Sequence, residues 1–125
     1  MLNSPDDLAT SVTEGVVFVL AQYVDILIGA SGVSTSEIVL SGNGFLDAGT
    51  ATILASLVDA HVLQPQKQGL ASLRGAAICA FQAFNIDVSS ALEQILQNSS
   101  TINPPASTAT IRQRYSRFRQ LRAEI

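Results

Sequence analysis

The sequence predicts an α/β chain: a strand–helix–strand unit with several helices packed on it, together forming only part of a larger body. Three observations predict this. Two short apolar runs, "EIVLS" and "HVLQP", flank a helical segment, and such a unit implies parallel pairing through a right-handed crossover. The second half of the first helix, "VVFVLAQYVDILIGA", is apolar on nearly every face, which predicts burial on nearly every side. Two strands alone make a poor sheet and leave that helix uncovered, so further sheet must come from outside the chain.

Each element carries its own signal. Ser4-Pro5-Asp6-Asp7 starts a helix: Ser4 can accept the Asp7 N–H, Pro5 lacks a donor where none is needed, and two acids face the positive end of the dipole. Residues 29–35 are small, polar or turn-forming apart from Val33 and end it. A strand follows over 37–41. Asp47 can cap a second helix over 47–59, and Pro65 closes a second strand over 61–65. A third helix of small residues spans 72–84, and Asp87 caps a fourth over 88–97. "NSSTINPPAS" reads as a loop, after which Ser107 caps a last helix. The division expected is an α/β body over 1–106 and a C-terminal helix over 107–125.

Composition restricts the classes of function. A chain of 125 residues suits one domain, able to bury about two-thirds of its unfolded surface. Only 14% of residues are charged and the net charge is -3, which gives no general reason to expect nucleic acid. Cys79 is the one cysteine, so no internal disulfide forms and a reducing, cytoplasmic setting is expected. Asp6 and Asp7 stand where a signal peptide would carry Lys or Arg. The apolar run over 16–28 is broken by Gln22 and Asp25, and no membrane span is expected from it.

"SPDDLATSVTEGVVFVLAQYVDIL", with its Glu14-Gly15 pair, resembles the long helix of FGGY-type carbohydrate kinases. "EIVLSGNGFLDAGTATILASLVDAHVLQP" looks like that family's strand, glycine loop, helix and strand. "ASLRGAAICAF" is similar to its Gly-Ala-Ala helix, in the Arg-Gly-Ala-Ala form of gluconate kinases. The segment from "DVSSALEQIL" through the proline loop to the closing helix with Tyr115 has the look of its C-terminal end. Order and spacing match over almost the whole chain, although no single motif is specific.

This resemblance implies the later part of the second, nucleotide-binding domain of the ribonuclease-H-like, actin-like ATPase fold. The cofactor implied is ATP with Mg2+. The substrate of the full-length protein would be a sugar, polyol or sugar acid. The catalytic base, acceptor site and first domain have no counterpart here, so the isolated piece is expected to be inactive. It would need the missing N-terminal kinase domain or a self-association partner. The residues carried over for nucleotide binding are Gly42, Asn43 and Gly44, with Asp47 at the polar position after the loop. Asn43, Asp47 and Ser56 depart from the family pattern, the last where an acid is usual.

Read without the family, Gly42-Asn43-Gly44 is either an ordinary strand-to-helix turn or a place where backbone must approach something bulky. Asp59 and His61 do not by themselves close a metal site. Gly75-Ala76-Ala77 reads as a face that lets a helix approach the sheet, and Cys79 as a buried, inert thiol. In the last helix Ile111, Tyr115, Phe118, Leu121 and Ile125 form an apolar stripe, and the arginines spread round the remainder. That pattern predicts a solvated helix packed on an acidic body rather than a nucleic-acid surface. A degenerate kinase fold kept as a non-catalytic interaction module is the alternative function.

Overall fold

The computed structural model describes residues 4–43 and 48–124. It is mixed α/β, with the elements α1 (Pro5–Ser31), β1 (Glu37–Val39), α2 (Ala48–Leu57), β2 (His61–Gln64), α3 (Ala71–Ala83), α4 (Ser89–Gln97), β3 (Ser100–Ile102) and α5 (Ala109–Ala123). Strands lie in the order β1-β2-β3. β1 and β2 are parallel, as the strand–helix–strand pattern requires, with Ile38 opposite Val62. β3 is antiparallel to β2, with Leu63 opposite Thr101.

The third strand corrects the expectation of a loop over "NSSTINPPAS". Its three residues carry too little alternation to be read locally. Pairing with β2 and the packing of Ile102 against the core supply what propensity does not.

Ser4 caps α1 as its hydroxyl predicts, accepting the Asp7 N–H at 3.2 Å, and α1 runs on to a left-handed Gly32 at φ 64°. Its burial is the larger correction. Val17, Phe18 and Ala21 are buried, while Leu8, Val12, Val16, Tyr23, Ile26 and Leu27 are each more than half exposed. One face packs and the opposite face is bare. By length and composition alone this 27-residue helix is also long and apolar enough to cross a membrane, against the expectation read from its central run. A core helix passes the same measure, and α1 enters the core through its buried face.

α2 occupies the centre instead. Ala51, Leu54 and Ala55 of α2, with Val58 just beyond it, are buried against Val17 and Phe18 of α1, Val62 of β2 and Tyr115 of α5. Ser56 is buried among them, and its hydroxyl donates to the Thr52 carbonyl at 2.8 Å, which keeps a polar group satisfied inside an apolar helix. Phe18, Tyr115 and Phe118 form an aromatic cluster, with Phe18 5.5 Å from Tyr115 and 5.4 Å from Phe118.

α5 turns Tyr115 into the core with Ile111 and Phe118 packed against it, whereas Leu121 of the expected stripe is exposed and Ile125 lies outside the described residues. Its helix starts at Ala109 with Thr108 in the cap position and no side-chain cap, so Ser107 is not the cap. Arg114 pairs with Glu14, and Arg112 lies 4.0 Å from Asp59, consistent with a basic helix laid on an acidic body. Arg119 and Arg122 cover the Tyr115 and Phe118 rings at 5.9 and 5.8 Å.

α3 and α4 have no buried residues. Gly75 therefore opens on space rather than on the sheet, and Cys79 is exposed, both contrary to the sequence reading. The face that the small residues of α3 offer is uncovered.

Candidate functional site

Ligands of open α/β sheets sit beyond the carboxyl ends of the parallel strands. Here those ends are the segments after β1 and β2. β1 is held to β2 up to its last turn: the Leu40 N–H donates to the Leu63 carbonyl at 2.8 Å, and the His61 N–H donates to the Ser36 carbonyl at 2.8 Å. Immediately beyond, Gly42 takes φ 105°, a backbone state that L side chains rarely adopt. Nothing lies within 4 Å of where a Cβ on Gly42 would stand. The glycine is thus required by conformation, and the space beside it is open.

The segment after β2 meets this loop. A short 3-10 turn at Gln68–Leu70 brings Gly69 so close that a Cβ there would lie 3.3 Å from the Asn43 side-chain oxygen. Two stretches without side chains, Gly42 and Gly69, therefore flank Asn43 at one end of the sheet. Asn43 is exposed, and its side-chain oxygen lies against the Gly69 turn. Gly44 and Asp47, the other two residues expected at the site, lie outside the described residues.

Gly69 escapes sequence reasoning because it stands alone in "QPQKQGL"; the left-handed Lys67, at φ 52°, is the turn signal that goes with it. Arg74 escapes for a different reason. Its guanidinium Nη1 donates to the Gln66 carbonyl at 2.7 Å, tying the start of α3 to the chain leaving β2. That contact spans eight residues and depends on how the turn folds. Arg74 also stands at a groove of about 350 Å³ between α3 and α4, walled by Ala77, Ile78, Phe81 and Ile95.

A larger cavity, about 910 Å³, opens at the other end of the parallel strands, between α1 and α5. Its charged groups and Tyr115 are largely engaged with one another. The Tyr115 hydroxyl approaches Asp25 at 3.4 Å, and Asp59 faces Arg112. Burial raises the Tyr115 hydroxyl pKa above 10.0, and the Asp25 charge adds to the rise. This end is a packing seam between helices. His61 is exposed, and among the described residues no three His, Cys, Asp or Glu gather to hold a metal.

Against known proteins, no family model, no curated protein and no solved structure matches the chain.

Proposed function

We propose that this chain is the ATP-binding portion of an FGGY-type carbohydrate kinase, built on the actin-like ATPase fold and inactive alone. The observation that carries the reading is the left-handed Gly42 straight after parallel strand β1, with Gly69 beside it after β2. A nucleotide can lie against a strand end only where side chains are missing, and backbone N–H groups there suit anionic oxygens. In the full-length enzyme the reaction would move the ATP γ-phosphoryl group to a hydroxyl of a sugar, polyol or sugar acid such as gluconate. Mg2+ would be held by the phosphates and, as the resemblance implies, by one or two carboxylates elsewhere in that enzyme. Gly42 would hold the nucleotide against bare backbone, with the Asn43 amide, seated on Gly69, beside it.

A second reading, a non-catalytic interaction module with the same fold, is favoured by one observation. The apolar stripe of α1 is exposed along the helix while Ser56, at the helix position where the family has an acid, is buried and satisfied by Thr52. Titrating Mg2+–ATP while following backbone amide shifts separates the two. Shifts centred on Gly42, Asn43 and Gly69 are expected from a nucleotide site, and silence there favours the module. The purified chain should show no sugar-dependent ATP turnover; measurable turnover would sink the assignment to an inactive piece.

A further inference from the structure

We propose that Thr35 is a plug on the open margin of the sheet: its hydroxyl occupies backbone groups that an added strand needs, so pairing with β1 waits until that side chain turns away. β1 lies at one margin, since the strand order is β1-β2-β3. Its backbone groups alternate in direction. The Ser36 carbonyl accepts the His61 N–H and the Leu40 N–H donates to the Leu63 carbonyl, so residues 36, 38 and 40 face β2. Glu37 and Val39 therefore turn their N–H and carbonyl groups the other way, to a side on which no strand lies among the described residues. Both residues are exposed.

An open margin of this kind is a template for any extended chain. β1 blunts it in three ways. The strand is only three residues long, and Glu37 places a charge on it. Thr35 supplies the third and most specific. Its hydroxyl donates to the Glu37 carbonyl at 2.8 Å and accepts the Glu37 N–H at 3.3 Å. One hydroxyl can do both, having a proton to give and lone pairs to receive with. Such local bonds compete directly with a strand ladder. Val39 is left as the residue of β1 whose outward backbone groups have no partner among the described residues.

The contact is reversible by construction. Thr35 is exposed, and one rotation about its Cα–Cβ bond releases both hydrogen bonds without disturbing the core. A strand that sets its own carbonyl and N–H against Glu37 replaces the two bonds that are lost. Pairing would begin at Val39 and reach Glu37 only as Thr35 turns aside. Sheet supplied from outside the chain would meet the same contact at this margin. The proposal concerns the backbone of β1 alone, and it stands whether or not a nucleotide binds at Gly42.

Two substitutions separate the hydroxyl from the shape of the side chain. Thr35→Val keeps the shape and loses the hydroxyl, whereas Thr35→Ser keeps the hydroxyl. In Thr35→Val the Glu37 amide should exchange with deuterium about threefold to tenfold faster than in wild type, as the loss of one ordinary hydrogen bond implies. The Ile38 and Leu40 amides, bonded to β2, should keep their protection and so report that the variant is folded. Sedimentation velocity should show Thr35→Val self-associating at a concentration about tenfold below that of wild type, with an intermolecular sheet band in the amide I spectrum. Thr35→Ser should match wild type in both measurements. Adding Val39→Pro to Thr35→Val removes an outward N–H and breaks no bond to β2, so it should abolish the new association. Unchanged Glu37 exchange in Thr35→Val, or association no greater than wild type, would overturn the proposal. So would a Thr35→Ser variant that behaves like Thr35→Val, or association that survives Val39→Pro and therefore runs through another face.

Discussion

Gly42 and Gly15 show how one residue type serves opposite ends. Gly42 holds φ 105° in a loop with open space around it, so a methyl group there meets no neighbour and the whole penalty is conformational. Gly42→Ala should cost about 1–3 kcal/mol. Gly15 sits inside α1, and an added Cβ also meets nothing within 4 Å. Gly15→Ala should instead stabilise by about 0.5–1 kcal/mol, because alanine loses less backbone freedom on entering a helix. Urea unfolding of the two variants beside wild type reads both signs in one experiment. Equal effects would mean that the Gly42 conformation is not strained for alanine.

At the scale of elements, the helix starts divide by how local their signals are. α1 is begun by Ser4, which takes the Asp7 N–H three residues on, whereas α4 has Val88 rather than the expected Asp87 in the cap position and no side-chain cap. Asp87, just before it, takes both the Ser89 N–H at 2.9 Å and the Ser89 hydroxyl at 2.6 Å. Those two donations hold the Asp87 carboxyl below its usual 3.8, the hydroxyl contributing most. A depressed carboxylate stabilises the folded form above its unfolded pKa and loses that contribution as pH falls through the lower folded value. The first turn of α4 should therefore fray only below about pH 4. Hydrogen exchange of the Ser89–Leu92 amides as a function of pH measures it, and Asp87→Asn, which has no carboxyl to titrate, should abolish the pH dependence.

For the molecule as a whole, α5 is the keystone. It adds Tyr115 to the buried core, with Ile111 and Phe118 packed against it, and ties back to α1 through Arg114–Glu14 and through Arg122, which donates to Gln22 at 2.8 Å. The half-exposed ion pair can be lost without opening the core, whereas removing the aromatic cluster empties one wall of it. A chain ending at Thr108 should lose cooperative unfolding and near-UV circular dichroism while keeping much of its helical signal. Retention of a sharp urea transition would show that α1, α2 and the sheet form a core without it.

The sequence by itself determined what depends on neighbours a few residues apart: the Ser4 start of α1, the parallel pairing implied by two strands around a helix, the inward Ile111, Tyr115 and Phe118 of α5, and a turn after β1. It also required more apolar surface than one short chain can cover. Only the tertiary structure decided which surface that is. α1, apolar all round, is covered on one side because α2 takes the centre; α3 is bare although its small residues suit close packing. β3 exists because β2 offers it an edge, and Gly69 reaches Asn43 because two loops converge at one end of the sheet. Such facts belong to pairs of residues distant in the chain, and a periodic pattern along one segment carries no information about what lies across from it.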